Sequence, residues 1–190
     1  ATPGDLKGGT WRSASFWQQG FLQNAGAKAV TMPWGEKTYN ALKSGAIDGM
    51  MLNVDSGYDL QAYKFAPNVL LSKDLWLGHL YIVAMNKDTW NKLSPEDRAA
   101  FQRAAETAYR ALGAVMERSI STQIEDLRKV GATVRVLKPE EIKQWQMTTR
   151  YREAQDKWVK EQDAKGIKEA GTVMKQVNAI MDETMQKKPR

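Results

Sequence analysis

Apolar residues recur along this chain in short β-type runs joined by helical spacing, and later almost wholly at helical spacing. The stretch Lys28 to Asn53, KAVTMPWGEKTYNALKSGAIDGMMLN, shows the first pattern. Ala29, Val30 and Met32 predict a strand that ends at Pro33, because proline removes a ladder donor and fixes its own φ. Trp34 and Gly35 predict a turn, and Glu36 stands where a carboxylate suits the positive end of a helix dipole. Tyr39, Leu42 and Ala46 keep helical spacing, Gly45 is placed to end that helix, and Ile47 with Met50 to Leu52 predicts the next strand. The whole is a β-α-β unit, and strand ends in α/β sheets are where ligands bind.

Before it, a turn at Asp5 to Gly8 leads into a short strand, Thr10 to Arg12, and Phe16 to Ala25 predicts a helix with Phe16 in the core. After it, Asp55 to Lys64 predicts a helix or turn, Val69 to Leu71 a strand, and Leu75 to Met85 a mostly buried strand interrupted at Gly78. Ser94-Pro95-Glu96-Asp97 is a helix start, with serine to cap, proline at the first position and acids in the first turn. Apolar residues at helical spacing from Phe101 to Leu127 carry that helix to Val130-Gly131. A helix of that length spans ~50 Å, longer than a lobe of this size is wide. It kinks near Gly113, forms a coiled coil, or bridges two lobes. Ala132 to Leu137 alternates as a strand. Pro139 starts a helix reaching Trp158 and Val159, and Val173 to Met185 predicts a last helix with its methionines in the core.

The net charge of +6 and pI of 9.4 invite a nucleic-acid reading. Lys and Arg are mixed with Asp and Glu along the chain, however, apart from a terminal group at Lys187, Lys188 and Arg190, and no nucleic-acid motif is visible. No nucleic-acid partner is expected. With no cysteine there are no disulfides and no thiol chemistry. No apolar run approaches the ~18 residues of a membrane helix, and the opening ATPGDLKGG lacks the apolar segment of a signal peptide. His79 is the one histidine, with no metal partner or nucleophile evident near it in sequence. A packed structural histidine and a solute contact are both open. Trp34 and Trp76 are candidates for an aromatic wall.

Asp5-Leu6-Lys7-Gly8, then Met32-Pro33-Trp34-Gly35-Glu36, Tyr39-Asn40-Ala41-Leu42 and Gly45-Ala46-Ile47-Asp48-Gly49, together with Asn86-Lys87 and Trp90, resemble the solute-binding proteins of TRAP transporters. The resemblance covers nearly the whole chain and implies an α/β fold: one lobe of a type II-like periplasmic binding protein with a long interlobe helix, the first lobe largely absent. It implies that residues 1–85 and 119–190 form the second lobe and that 86–118 belongs to the first lobe and the interlobe helix. It makes Arg12 the residue that grips a solute carboxylate, as a guanidinium fork suits, with Ser13 near the same cleft. The family's Asn after the Asp-Gly step is displaced here: Met50, Met51 and Leu52 follow Gly49, and Asn53 comes one position late. The cleft is therefore expected to be less polar than the small-dicarboxylate pattern.

The implied function is capture of an organic acid in the periplasm, without catalysis, metal or cofactor, for a membrane-embedded TRAP permease. The binding residues are Arg12, Trp34, Asn53, Trp76 and His79. The precursor is expected to carry a signal peptide, and the chain to be a fragment that pairs with a missing N-terminal lobe or with a second copy. Two further readings stand beside it: an adaptor acting through the long helix, and an enzyme using His79 with Asp74.

Overall fold

A computed structural model describes residues 2–72 and 82–186, with side chains through Thr184. The predicted β-α-β pattern forms. Strand β1 (Thr10–Ser13) is followed by helix α1 (Phe16–Asn24), strand β2 (Lys28–Thr31), helix α2 (Glu36–Lys43) and the two-residue strand β3 (Gly49–Met50). The three strands make a parallel sheet in the order β2-β1-β3, with Arg12 opposite Val30 on one side and Met50 on the other. Asp48 ties β3 in place: its amide donates to the Thr10 carbonyl and its carboxylate accepts the Thr10 N–H at 2.7 Å. Gly49 is required by close approach, since a Cβ there would lie 2.6 Å from the Trp11 indole.

Helix ends close as the glycine positions predict. At the end of α2, Gly45 donates to Leu42 and Ala46 to Ala41, the paired bonds of a Schellman motif that satisfy the last carbonyls.

Downstream come α3 (Val54–Asp59), a 3-10 turn at Ala62–Lys64 and strand β4 (Asn68–Leu71). Helix α4 (Lys87–Lys92) precedes α5 (Pro95–Lys129), and strand β5 (Thr133–Val136) returns to pair in parallel with β4. Ser94 caps α5 by accepting the Asp97 N–H at 3.0 Å, and the helix runs unbroken through Gly113 for 35 residues. Its last third, from Ser119, is the partly buried end, and the helix packs on α3 and β5.

Three expectations are corrected, and a fourth is corrected only at its described end. Pro139 to Val159 is two helices, α6 (Pro139–Thr149) and α7 (Tyr151–Ala164), because Arg150 takes a left-handed conformation, φ 46°. The Asn24 side chain holds that junction: its amide donates to the Thr149 carbonyl at 2.8 Å and accepts from the Arg150 guanidinium at 2.8 Å. The expected strand over Leu75 to Met85 falls largely outside the described residues. Its described end, Ile82 to Met85, is exposed coil without a pairing strand. Phe16 is 47% exposed rather than core, resting edge-on against Trp17. The apolar stripe of α8 (Ala170–Gln186) is half-covered at best: Met174 and Met181 are only partly buried, and Val173 and Ile180 are exposed, because α8 packs against α7 alone among its main contacts.

The core lies between the first sheet and helices α1 and α6. Leu6, Leu22, Ala25, Ala27, Leu137, Ile142 and Trp145 are buried there, with Trp11, Ala29, Met51 and Leu70 packed around them. Full burial of a side chain such as Leu22 contributes about 1.5–3 kcal/mol. The carboxylate of Glu141, near the start of α6, accepts the Lys138 N–H at 2.8 Å and pairs with the Arg135 guanidinium on β5.

Candidate functional site

Because β1, β2 and β3 are parallel, their carboxyl ends share one edge of the sheet. Three turns open there: 14–15 before α1, 32–35 before α2 and 51–53 before α3. Arg12 is on the central strand, one residue short of that edge, and is only 4% exposed. Its Nε and Nη2 donate to the Met32 carbonyl at 3.3 and 3.1 Å, and its Cζ lies 5.3 Å from the centre of a Trp34 ring. A guanidinium has five N–H donors, and these bonds engage only two of them. No carboxylate among the described residues pairs with it. Burial pulls the Arg12 pKa below its ordinary value, yet a guanidinium stays charged at neutral pH.

The turn that faces Arg12 is built to hold still. Thr38 is fully buried and its hydroxyl donates to the Pro33 carbonyl at 2.6 Å. Gly35 has φ 106° and ψ −146°, a region essentially reserved for glycine, and this allows Trp34 to stand 48% exposed beside the guanidinium. On the neighbouring turn, Gln18 is fully buried and its Oε1 accepts the Ala14 N–H at 2.7 Å, while the Ser15 hydroxyl accepts from Gln18 to cap α1. Both turns are thus tied to the helix that follows them by a buried polar side chain.

Of the five predicted binding residues, the structure places Arg12 and Trp34 in contact. Asn53 stands on the same sheet edge, two residues past Met51, whose amide donates to the Arg12 carbonyl. Its side-chain amide is turned onto the Asp55 carboxylate, which also accepts the Ser56 N–H at 2.8 Å. Trp76 and His79 lie outside the described residues, as does Asp74. Ser13, the other cleft candidate, is fully buried, and its hydroxyl has no hydrogen-bond partner among the described residues.

Sequence reasoning missed Gln18, Thr38 and the Met32 carbonyl. A threonine five residues after a turn proline carries no distinctive signal, and a backbone carbonyl carries none at all. Among the described residues no group of three His, Asp or Glu side chains is placed to hold a metal ion, and no helix is long and apolar enough to cross a membrane. What the edge offers chemically is one fixed cation beside an aromatic face, arranged to receive an anion.

Residues 1–162 match the family described as DctP, bacterial extracellular solute-binding protein, family 7. A solute-binding protein of Chromohalobacter salexigens is 31% identical over 113 residues, which is 60% of this chain and 33% of that protein. The solved periplasmic ectoine-binding protein of the TeaABC TRAP transporter of Halomonas elongata shares the fold with a TM-score of 0.77 at 21% identity, covering 96% of this chain and 57% of its own. A TRAP periplasmic solute-binding protein of Chromohalobacter salexigens, solved with bound d-glucuronate, has a TM-score of 0.70 at 25% identity over 91% of this chain and 55% of its own. The chain thus spans from a third to little more than half the length of these proteins.

Proposed function

This chain belongs to the bacterial extracellular solute-binding protein family 7, and from that premise we propose that it captures an organic acid through Arg12 for a TRAP transporter. The observation that carries the proposal is the buried guanidinium that lacks a carboxylate partner among the described residues. Burying an unpaired charge is expensive, so the remaining N–H donors favour an incoming carboxylate, which can accept two of them side by side. The relative solved with d-glucuronate binds an acid, consistent with this chemistry. Binding is the whole function: the solute is held and released, and no bond is made or broken.

The protein acts in the periplasm and hands its solute to the membrane-embedded permease. Residues 1–85 and 119–190 form one lobe, and 86–118 belongs to a first lobe on the far side of the cleft. Support for this division comes from α5, whose residues 101–118 are all exposed while Leu127 is 2% exposed. The bare stripe of Phe101, Leu112, Val115 and Met116 is of the kind that a packed neighbour covers. We assign that neighbour to the first lobe of the receptor, since the relatives are longer than this chain. Closure of the two lobes on the acid is a hinge motion favoured by contacts to both.

The test is Arg12→Met, with carboxylate binding followed by calorimetry and thermal unfolding. Loss of the charge partner is expected to weaken acid binding at least about thirtyfold. The unliganded variant is expected to melt no lower than the parent, because an unpaired buried charge has been removed. Undiminished binding, or a large drop in the melting temperature without ligand, makes Arg12 a structural brace between β1 and the Met32 turn and overturns the proposal.

A further inference from the structure

The composition of the sheet edge around Arg12 narrows the class of acid, and this inference rests on the reading of Arg12 given above. Arg12, on β1, is the cation that this edge buries, and the three turns, with the residue that follows each, supply no other. The charged groups one or two residues beyond the turns are Glu36 and Lys37, both exposed in the first turn of α2, and Asp55, in the first turn of α3. Everything else of size on these turns is apolar or aromatic, namely Phe16, Met32, Trp34, Met51 and Leu52. Phe16 and Trp34 are 47% and 48% exposed at two turns of one sheet edge, and the Trp34 ring lies against the buried charge. Asn53, the natural donor to a hydroxyl or to a second carboxylate, already donates its amide to Asp55.

Each of these facts acts against a highly polar solute. A second carboxylate would meet Glu36 and Asp55 as well as the exposed Lys37, with no second buried cation fixed to receive it, and like charges at close range repel. Sugar hydroxyls would lose water to methionine, leucine and ring carbons, which cannot replace their hydrogen bonds. A flat apolar body loses nothing there and gains contact with the rings. The Asp55 carboxylate is satisfied by Asn53 and Ser56, which makes it a poor receptor for an ammonium group on the solute.

We propose that the solute is a monocarboxylate with a planar, apolar body, of the benzoate type, its carboxylate on the free N–H groups of Arg12 and its ring against Trp34 and Phe16. The preference comes from the pairing of one buried guanidinium with two half-exposed aromatic rings on adjacent turns.

Nuclear magnetic resonance of the 15N-labelled chain tests this, because the Arg12 Nε–H and the Trp34 indole N–H report from within the site. The two signals are assigned with Arg12→Lys and Trp34→Phe. The chain is titrated separately with benzoate, succinate, d-glucuronate and the zwitterion proline, each to tens of millimolar so that weak binding is seen. Benzoate is expected to shift both signals at concentrations at least about tenfold lower than the other three. In Trp34→Ala, benzoate is expected to weaken about tenfold while acetate still moves the Arg12 signal as in the parent. Tighter binding of succinate, glucuronate or proline overturns the substrate class and leaves Arg12 as an anion site. No shift with any acid overturns the carboxylate reading itself, and the inference with it.

Discussion

Helix α5 is one element with two environments. Its last third, from Ser119 to Lys129, has Ile120, Gln123 and Ile124 half-buried and Leu127 buried against α3 and β5. Its earlier part, with α4, forms an arm that local contacts hold among the described residues: Arg98 donates to the Trp90 and Asn91 carbonyls at 3.1 and 2.7 Å, and Trp90 rests on Phe101 at 6.1 Å. Apolar periodicity is the same along both parts. Amphipathic spacing therefore records that a helix face is meant to be covered, and says nothing of whether this chain supplies the cover.

The comparison breaks or holds on paired substitutions along that helix. Leu127→Ala is expected to cost about 2–5 kcal/mol in urea unfolding, because it opens a cavity at a site that is 2% exposed. Leu112→Ala, 51% exposed on the same helix, is expected to change stability by less than about 0.5 kcal/mol. Equal effects would mean that the arm is covered in solution, and the difference between the two parts would disappear.

Next in size is Gly49→Ala in the three-stranded sheet. The added Cβ meets three indole carbons of Trp11 within 2.9 Å, so the ring or β3 must shift, at a cost of about 1–3 kcal/mol. The matching change on the arm, Gly113→Ala, meets no neighbouring atom and is expected to stabilise by up to about 1 kcal/mol through helix propensity. Guanidinium unfolding of both variants checks the signs, and a stabilising Gly49→Ala would mean that the sheet is looser than its contacts indicate.

The smallest effect is electrostatic. The Lys138 N–H, and then the Arg135 guanidinium, hold the Glu141 carboxyl below its ordinary value of 4.5. The folded value is thus below the unfolded one, so the stabilisation is complete above pH 4.5 and is lost as pH falls through the folded value. Glu141→Gln is expected to flatten part of the fall in urea midpoint between neutral pH and pH 3. On the arm, Glu106→Gln removes an exposed 3.7 Å pair with Arg110 and is expected to leave that profile unchanged. Indistinguishable profiles for the two variants would remove Glu141 as a source of acid lability.

Legibility from sequence follows the same division. The β-α-β unit, the glycine-terminated helices and the full extent of α5 were readable, because proline, glycine and capping residues act within a few positions of themselves. The break at Arg150 was not, since nothing local demands it. It is held by Asn24 from the other end of the chain. Phe16 misled because its spacing fits a helix core, whereas it is the first residue of α1 and half-exposed there, edge-on to Trp17. Arg12 was legible through the family motif around it, and its contact with Trp34 follows from the MPWG turn. The buried Gln18 and Thr38 were hidden because polar residues on a helix read as solvent-facing.

The pairing of β4 with β5 sets a design rule for the arm. Asn68 lies beside Thr133 and Leu71 beside Val136, so the chain that leaves β4 comes back through α5 to a neighbouring strand. A helix is stiff, so α5 acts as a lever rather than a slack loop: each residue added to it carries its far end about 1.5 Å further and turns its faces by a fraction of a turn. An arm changed by about a whole number of turns keeps its apolar stripe facing the same way, and any other change of length swings that stripe off whatever covers it.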